Sequence, residues 1–227
     1  MRFKDVFSII GPAMIGPSSS HTAGAVRIGR IARQLFAAGT PERAEITFYG
    51  SFAETYKGHG TDLAIVAGLL GYDTDDLRIP HALEHAKAAG MRVRFRQAQN
   101  RAYHPNTAKL ELTSAIRRLS VLGCSIGGGN VEMVEVDGFD VKFTGAYPTL
   151  VIFHEDRPGM IADVTELLLR ERINIGRMDV DRKERSGEAL TVLELDSPAS
   201  AELTRALRRL SGVRDVRTVN RWGEPAE

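Results

Sequence analysis

The order of elements after residue 148 limits this chain more than anything else in it. "TLVIFHE" (149–155) reads as a strand. Pro158 stands where proline suits the first turn of a helix, and "GMIADVTELLLRER" (159–172) sets Met160, Ile161, Val164, Leu167 and Leu168 on one helical face. "INIGRMDVDRK" (173–183) and "EALTVLELDS" (188–197) read as strands around the turn residues Ser186 and Gly187. A second helix opens on the cap-like Ser200-Ala201-Glu202 and stops at Gly212, and "VRDVRTV" (213–219) alternates as a last strand. The order βαββαβ is the split ferredoxin-like unit, and few other folds accommodate it.

The residues before it follow a different plan. "TGAYPTL" (144–150) is the clearest join, giving domains at 1–145 and 148–227. "AGAVRIGRIARQLFAAG" (23–39) is an amphipathic helix with Val26, Ile28, Ile31, Leu35 and Phe36 as its apolar side. "AEITFYG" (44–50) alternates as a strand, "TDLAIVAGLLG" (61–71) reads as a short buried helix, and "PHALEHAKAAG" (80–90) as a surface one. "MRVRFRQ", "AKLELTSA", "LSVLGCSIGG" and "VEMVEVDG", between residues 91 and 138, are all strand-like. Helices first and strands afterwards imply an α+β domain with a largely antiparallel sheet.

Composition removes several functions. A net charge of +1 gives no reason to expect nucleic acid as a partner. No apolar run approaches the length of a membrane span, and Arg2, Lys4 and Asp5 do not open a signal peptide, so the cytoplasm is the expected compartment. A single cysteine, Cys124, excludes both an intramolecular disulfide and a multi-thiolate metal site built from this chain alone. Inside an apolar strand it reads as a small buried residue rather than a nucleophile.

Chemistry concentrates in three histidine-bearing turns: "SSSHTAG" (18–24), "KGHGTD" (57–62) and "YHPNT" (103–107). Each sets a histidine beside glycine or proline with a hydroxyl or amide close by. His59, between Gly58 and Gly60, sits where the backbone is freest and another molecule can come close. Each turn has an ordinary reading too: serines before a helix serve as N-caps, and Thr61 with Asp62 could cap the helix that follows. Three such turns in one small domain favour a shared polar pocket. Ser18–Ser20 lack a strand-to-helix elbow and no G-x-S-x-G is present, which argues against a serine hydrolase. A zinc site built on His21, His59 and His104 has no supporting motif spacing. The "GGGN" at 127–130 reads as a turn between strands, and His81 and His85 as solvated residues of a polar helix.

"IIGPAMIGPSSSHTAGAVRIGR", "YGSFAETYKGHGTD", "HPNT" and "SIGGGN", in that order, resemble the beta subunit of the bacterial iron–sulfur-dependent L-serine dehydratase. The resemblance implies an N-terminal domain similar to the allosteric substrate-binding domain of some phosphoglycerate dehydrogenases, followed by an ACT domain whose Asp-x-Pro-Gly turn is Asp156-Arg157-Pro158-Gly159. It implies conversion of L-serine to pyruvate and ammonia. It also implies a [4Fe–4S] cluster, which one cysteine cannot ligate; the cluster cysteines then belong to a partner alpha subunit, and no metal ligand is expected in this chain. A monovalent cation is a further candidate cofactor.

Within that resemblance each turn acquires a role. His59 is the candidate base for the Cα proton, a task that suits an imidazole with little tuning, and Thr61 orients it or the substrate. His104 and Asn106 hold substrate or hand a proton to the departing hydroxyl. Ser18, Ser19, Ser20, His21 and Thr22 offer donors to the substrate carboxylate at the mouth of a helix. In the ACT domain, Asp156, Pro158, Gly159, Met160 and Asn174 are the candidate effector contacts, and the exposed strand edge pairs with a second copy. The competing reading is a non-catalytic regulatory protein that binds amino acids through both domains. Glycine-flanked histidines are hard to account for in such a sensor.

Overall fold

Helix α1 (Gly24–Phe36) forms because Val26, Ile28, Ile31, Leu35 and Phe36 recur at helical spacing, and all five are fully buried. It is the central helix of a computed structural model that describes residues 12–220. Arg2, Lys4, Asp5 and the first three residues of the motif beginning at Ile9 lie outside the described residues. Among those described, no helix is long and apolar enough to cross a membrane. The chain divides into two compact units, Met1–Gly138 and Phe139–Glu227.

In the first unit a π-helical turn (Ser19–Ala23) leads into α1. Strand β1 (Arg43–Tyr49), helices α2 (Gly50–Thr55), α3 (Thr61–Leu69) and α4 (Ala82–Ala88) and strands β2 (Arg92–Ala98), β3 (Thr107–Thr113), β4 (Arg118–Gly127) and β5 (Asn130–Val136) follow. The sheet runs β2-β1-β3-β4-β5 within this unit. Only β1 and β2 are parallel, as the helices between them require; β1–β3, β3–β4 and β4–β5 are antiparallel. Ala44, Ile46 and Phe48 of β1 and Leu110 and Leu112 of β3 point to one buried side, while Arg43, Glu45, Lys109 and Glu111 occupy the other.

Helices α1 and α3 cross at two glycines. A Cβ on Gly68 would lie 2.1 Å from the Val26 carbonyl oxygen, and one on Gly29 2.2 Å from that of Ile65. Arg30, buried on α1, pairs with Asp73 at 2.5 Å. Asp73 also accepts the Thr74 N–H (2.7 Å), and the Thr74 hydroxyl donates to the Ala13 carbonyl (2.7 Å), which ties down the segment leading to the serine-rich turn. Burial works against the Asp73 charge, but the Thr74 N–H bond, Arg30 and the charge of Arg27 hold its carboxyl below the usual range.

The second unit contains β6 (Phe139–Phe143), β7 (Thr149–Glu155), α5 (Met160–Arg170), β8 (Ile175–Arg182), β9 (Glu188–Leu195), α6 (Ala201–Arg209) and β10 (Val213–Val219). Its sheet order, β10-β7-β9-β8, with every pair antiparallel, is the arrangement the βαββαβ order predicts. Leu150, Ile152, Leu193, Leu195 and Val216 from the sheet meet Met160, Val164 and Leu168 of α5 and Leu203 and Leu207 of α6. The Ser200 hydroxyl accepts the Leu203 N–H at 2.9 Å, so this serine is the expected cap.

Four local readings change. The six-residue helix α2 was not expected, and neither was β6, which draws the division between units to Gly138/Phe139. Phe139 packs edge-on against Phe153, and Thr144 donates through both its N–H and its hydroxyl to Glu194. Pro158 precedes the helix instead of entering its first turn, because Gly159 takes the cap position at φ 83°. His85 is half-buried and bonded to the Tyr72 hydroxyl at 3.0 Å, so only His81 is solvated as read.

Candidate active site

The serine run begins as a cap and ends as a wall. Ser18 is extended, and its hydroxyl accepts the His21 N–H at 3.2 Å. The backbone then closes a single π-helical turn, with the Gly24 N–H bonded to the Ser19 carbonyl. Such wide turns are strained and gather at functional sites. This one carries His21. Its ring has a hydroxyl beside each nitrogen: Ser18 Oγ lies 3.4 Å from Nδ1, and Ser51 Oγ 3.3 Å from Nε2.

The second turn meets the first directly. The His59 ring stands edge-on to the His21 ring with centroids 4.7 Å apart, and Phe52 flanks His21 at 5.2 Å. Burial, and then the charge of His59, lower the pKa of His21, so its neutral form is favoured. Gly60 is left-handed at φ 64° and starts α3, whereas Gly58 adopts no such conformation. Only one of the two flanking glycines is therefore required by the backbone. Thr61 does not cap: it is fully buried, and its hydroxyl has no partner among the described residues. Asp62 supplies the local bond instead, accepting the Leu63 N–H at 2.9 Å, with its carboxyl pushed up by burial.

The third turn joins through its backbone rather than its imidazole, which stays exposed. His104 Nδ1 accepts the Asn106 N–H at 3.1 Å. The Pro105 carbonyl accepts the Phe52 N–H at 3.3 Å, and the Asn106 carbonyl accepts that of Ser125 at 2.9 Å. Helix α2 is thus the common neighbour: it holds Pro105 at one end, offers Ser51 to His21, and accepts the His59 N–H on Thr55 at 3.0 Å.

Buried polar atoms without partners crowd the same place. Thr22 Oγ1, His59 Nδ1, Thr61 Oγ1, Asn106 Oδ1 and Ser125 Oγ all lack a hydrogen bond among the described residues. Each such atom costs about 1–3 kcal/mol in a core that gains nothing by it. Four of them on the three turns, with Ser125 of β4, describe a site shaped for something polar. Ser51, Phe52 and Ser125 join it without having been singled out in the sequence, although "SIGGGN" holds Ser125.

A cluster or metal does not fit these residues. Cys124 is buried on β4, with its thiol toward the Glu132 carbonyl at 3.6 Å. Among the described residues, no three His, Cys, Asp or Glu side chains are grouped to hold a metal ion. One thiolate facing a strand cannot ligate a cubane.

The candidate effector residues of the second unit are Asp156, Pro158, Gly159, Met160 and Asn174. Asp156 accepts from Arg182 and from the Ser186 N–H, each at 3.0 Å, and its carboxyl is held low by the Ser186 bond first and Arg182 second. Asn174 donates to Asp196 at 2.8 Å. Met160 turns into the core, so it offers an effector no side chain. Pro158 and Gly159 form the bend between Asp156 and α5.

Residues 3–135 match the family described as "Serine dehydratase beta chain". The chain belongs to the serine dehydratase beta chain family. Residues 148–212 match the ACT domain family. A "Probable L-serine dehydratase, beta chain" from Bacillus subtilis (strain 168) is 47% identical across 95% of this chain and 98% of its own length. The "L-serine dehydratase, beta chain" of Peptoniphilus asaccharolyticus is 36% identical over 91% of this chain and 94% of its own. A "D-3-phosphoglycerate dehydrogenase" from Synechocystis sp. is 29% identical across 85% of this chain but only 35% of its own length. This serine dehydratase beta chain family member thus carries its three histidine turns inside the matched region.

Proposed function

We propose that this chain is the beta subunit of an L-serine dehydratase, acting with an alpha subunit to convert L-serine to pyruvate and ammonia. The observation that carries the reading is the His21–His59 ring contact at 4.7 Å, bordered by the unpartnered buried hydroxyls of Thr22 and Thr61. The cysteine ligands of a [4Fe–4S] cluster are assigned to the partner, where an open iron would serve as Lewis acid for the serine hydroxyl.

This chain's own residues then divide the remaining work. His59 takes the Cα proton on a ring nitrogen; it is half-buried, and the exposed Lys57 and Gly58 before it leave an approach for substrate. Thr61, its hydroxyl unpartnered, orients the imidazole or the substrate once substrate is bound. Ser19, Ser20 and Thr22, with backbone N–H groups of the turn, receive the carboxylate, while Ser18 and His21 shape the wall. His104 and Asn106 hold the substrate's hydroxyl end and return a proton as it leaves.

Purified anaerobically with iron and sulfide, this chain alone is expected to stay colourless and to release no pyruvate. Mixing it with the cysteine-rich alpha subunit restores turnover. A stoichiometric cubane absorbance in the isolated chain contradicts the assignment of the cluster, and a reconstituted complex without pyruvate contradicts the enzyme.

The ACT unit is assigned a second role, in self-association. Strand β8 is an edge of its sheet, and Met178 and Val180 on it are 47% exposed, with Leu169 of α5 at 73%. A second copy covers this edge, and the bend at Asp156–Met160 takes an amino acid or a cation. Val180→Asp in the full chain is expected to shift sedimentation from dimer to monomer. A wild-type chain that sediments as a monomer at high concentration ends the dimer assignment.

A further inference from the structure

We infer that Ser51 is a positioning residue, which fixes the His21 ring so that His59 alone keeps a ring nitrogen for chemistry. Ser51 Oγ lies 3.3 Å from His21 Nε2, and Ser18 Oγ takes the other side at 3.4 Å. A hydroxyl donates and accepts, so this pair of serines accommodates either tautomer and leaves His21 no nitrogen to offer a substrate. His59 differs: its Nδ1 has no partner among the described residues.

Ser51 is itself held firmly for a residue in so short a helix. Gly50 before it is left-handed at φ 54°, and a Cβ there would lie 2.6 Å from the Pro105 oxygen. The next residue, Phe52, donates its N–H to that oxygen. The Thr55 hydroxyl donates to the Ser51 carbonyl at 2.7 Å. Helix α2 is thereby pinned from the loop that carries His104, and through Ser51 it pins His21. The three turns are placed by one element that has no chemistry of its own.

Charge follows from that placement. The π-helical turn brings no charged group to His21, Glu54 of α2 and Lys57 are exposed, and His59 is the charged neighbour that acts on it. With His21 kept in the pocket, burial first and the neighbouring His59 second oppose a proton on its ring. A freed His21 would swing toward water, lose its burial and accept a proton readily. His59 would then face a cation or a gap instead of a fixed neutral ring.

The kinetic part of this inference rests on the dehydratase reading; the titration part does not. In the full chain alone, the Cε1–H signals of the six histidines are followed by NMR against pH. His21 is expected to titrate below the ordinary value of about 6.5 in the wild type. Ser51→Ala should move it back toward that value, and Ser51→Thr should keep it low. If the alanine variant fails to fold, Ser51→Val against Ser51→Thr gives the same comparison between side chains of one shape. An unmoved His21 in a folded variant lacking the hydroxyl shows that packing alone holds the ring and overturns the inference. In the reconstituted complex, Ser51→Ala should lower kcat by up to about a hundredfold, with KM little changed, and Ser51→Thr should restore it. A shifted His21 titration with unaltered kcat overturns the positioning role while leaving the enzyme reading intact. A wild-type complex that makes no pyruvate overturns the enzyme reading and leaves the titration to decide the contact.

Discussion

Alanine at Gly68 is expected to cost the first unit about 3 kcal/mol or more of stability. The sign is not obvious from propensity, since alanine in a helix interior is favoured over glycine by about 1 kcal/mol. Contact decides it. The new methyl carbon would stand 2.1 Å from the Val26 carbonyl oxygen, 2.8 Å from the Arg30 nitrogen and 2.9 Å from Gly29 Cα. All three are backbone atoms, so no side chain can turn aside, and α1 must move away from α3 as a body. The consequence reaches the site, because α1 follows the His21 turn and α3 starts at Thr61 just after His59. A loss in urea midpoint at unchanged m-value is the measurement. Gly58→Ala is the control: its methyl would meet only the Thr55 oxygen, at 3.8 Å, and its backbone is not left-handed. It should stay within about 0.5 kcal/mol of wild type. A Gly68→Ala chain as stable as wild type means the two helices do not cross as closely as described.

The parts of the fold legible in the sequence are those whose signal is local. The seven residues of "VRDVRTV" coincide with β10, while α6 stops at Arg209, three residues before the left-handed Gly212 (φ 83°) expected to end it. The apolar face of α1 is likewise legible in the chain, since Val26, Ile28, Ile31, Leu35 and Phe36 are all buried. Helix α2 was invisible because "GSFAET" is only six residues long and three of them, Gly, Ser and Thr, are poor formers that offset Ala53 and Glu54. It exists because Pro105, far along the chain, accepts the Phe52 N–H. The alternation of Phe139, Val141 and Phe143 was a usable signal for β6, hidden by reading 144–150 as the join.

The site shows the same division. Histidine turns rich in glycine and hydroxyls stand out in composition, so His21 and His59 could be named. That their rings touch, that Thr61 is an orphan rather than a cap, and that Ser51 lies between the turns all depend on tertiary packing. His85 shows the converse: a polar helix suggests solvation, but Tyr72 comes from outside that helix to bond it.

His59→Ala in the reconstituted complex should lower kcat by about 10²–10⁴-fold, the usual contribution of a positioned base. Binding should suffer less, because the carboxylate contacts are assigned to the serine-rich turn. The argument for His59 over His21 is one of free atoms. His21 has a serine oxygen at each nitrogen, while His59 is anchored by its backbone to Thr55 and keeps a ring nitrogen uncommitted. His104→Ala should also be damaging, partly in KM, since its exposed ring and Asn106 are assigned to holding substrate. His81→Ala is the clean control, its side chain being 62% exposed; His85 is unsuited to that use because of its bond to Tyr72. The decisive measurement is solvent exchange at the serine Cα, read with deuterated substrate in a complex whose subunits remain associated. Loss of exchange together with turnover places the base on His59. Wild-type exchange in His59→Ala places the base on the partner subunit and leaves the three turns of this chain to shape the pocket around it.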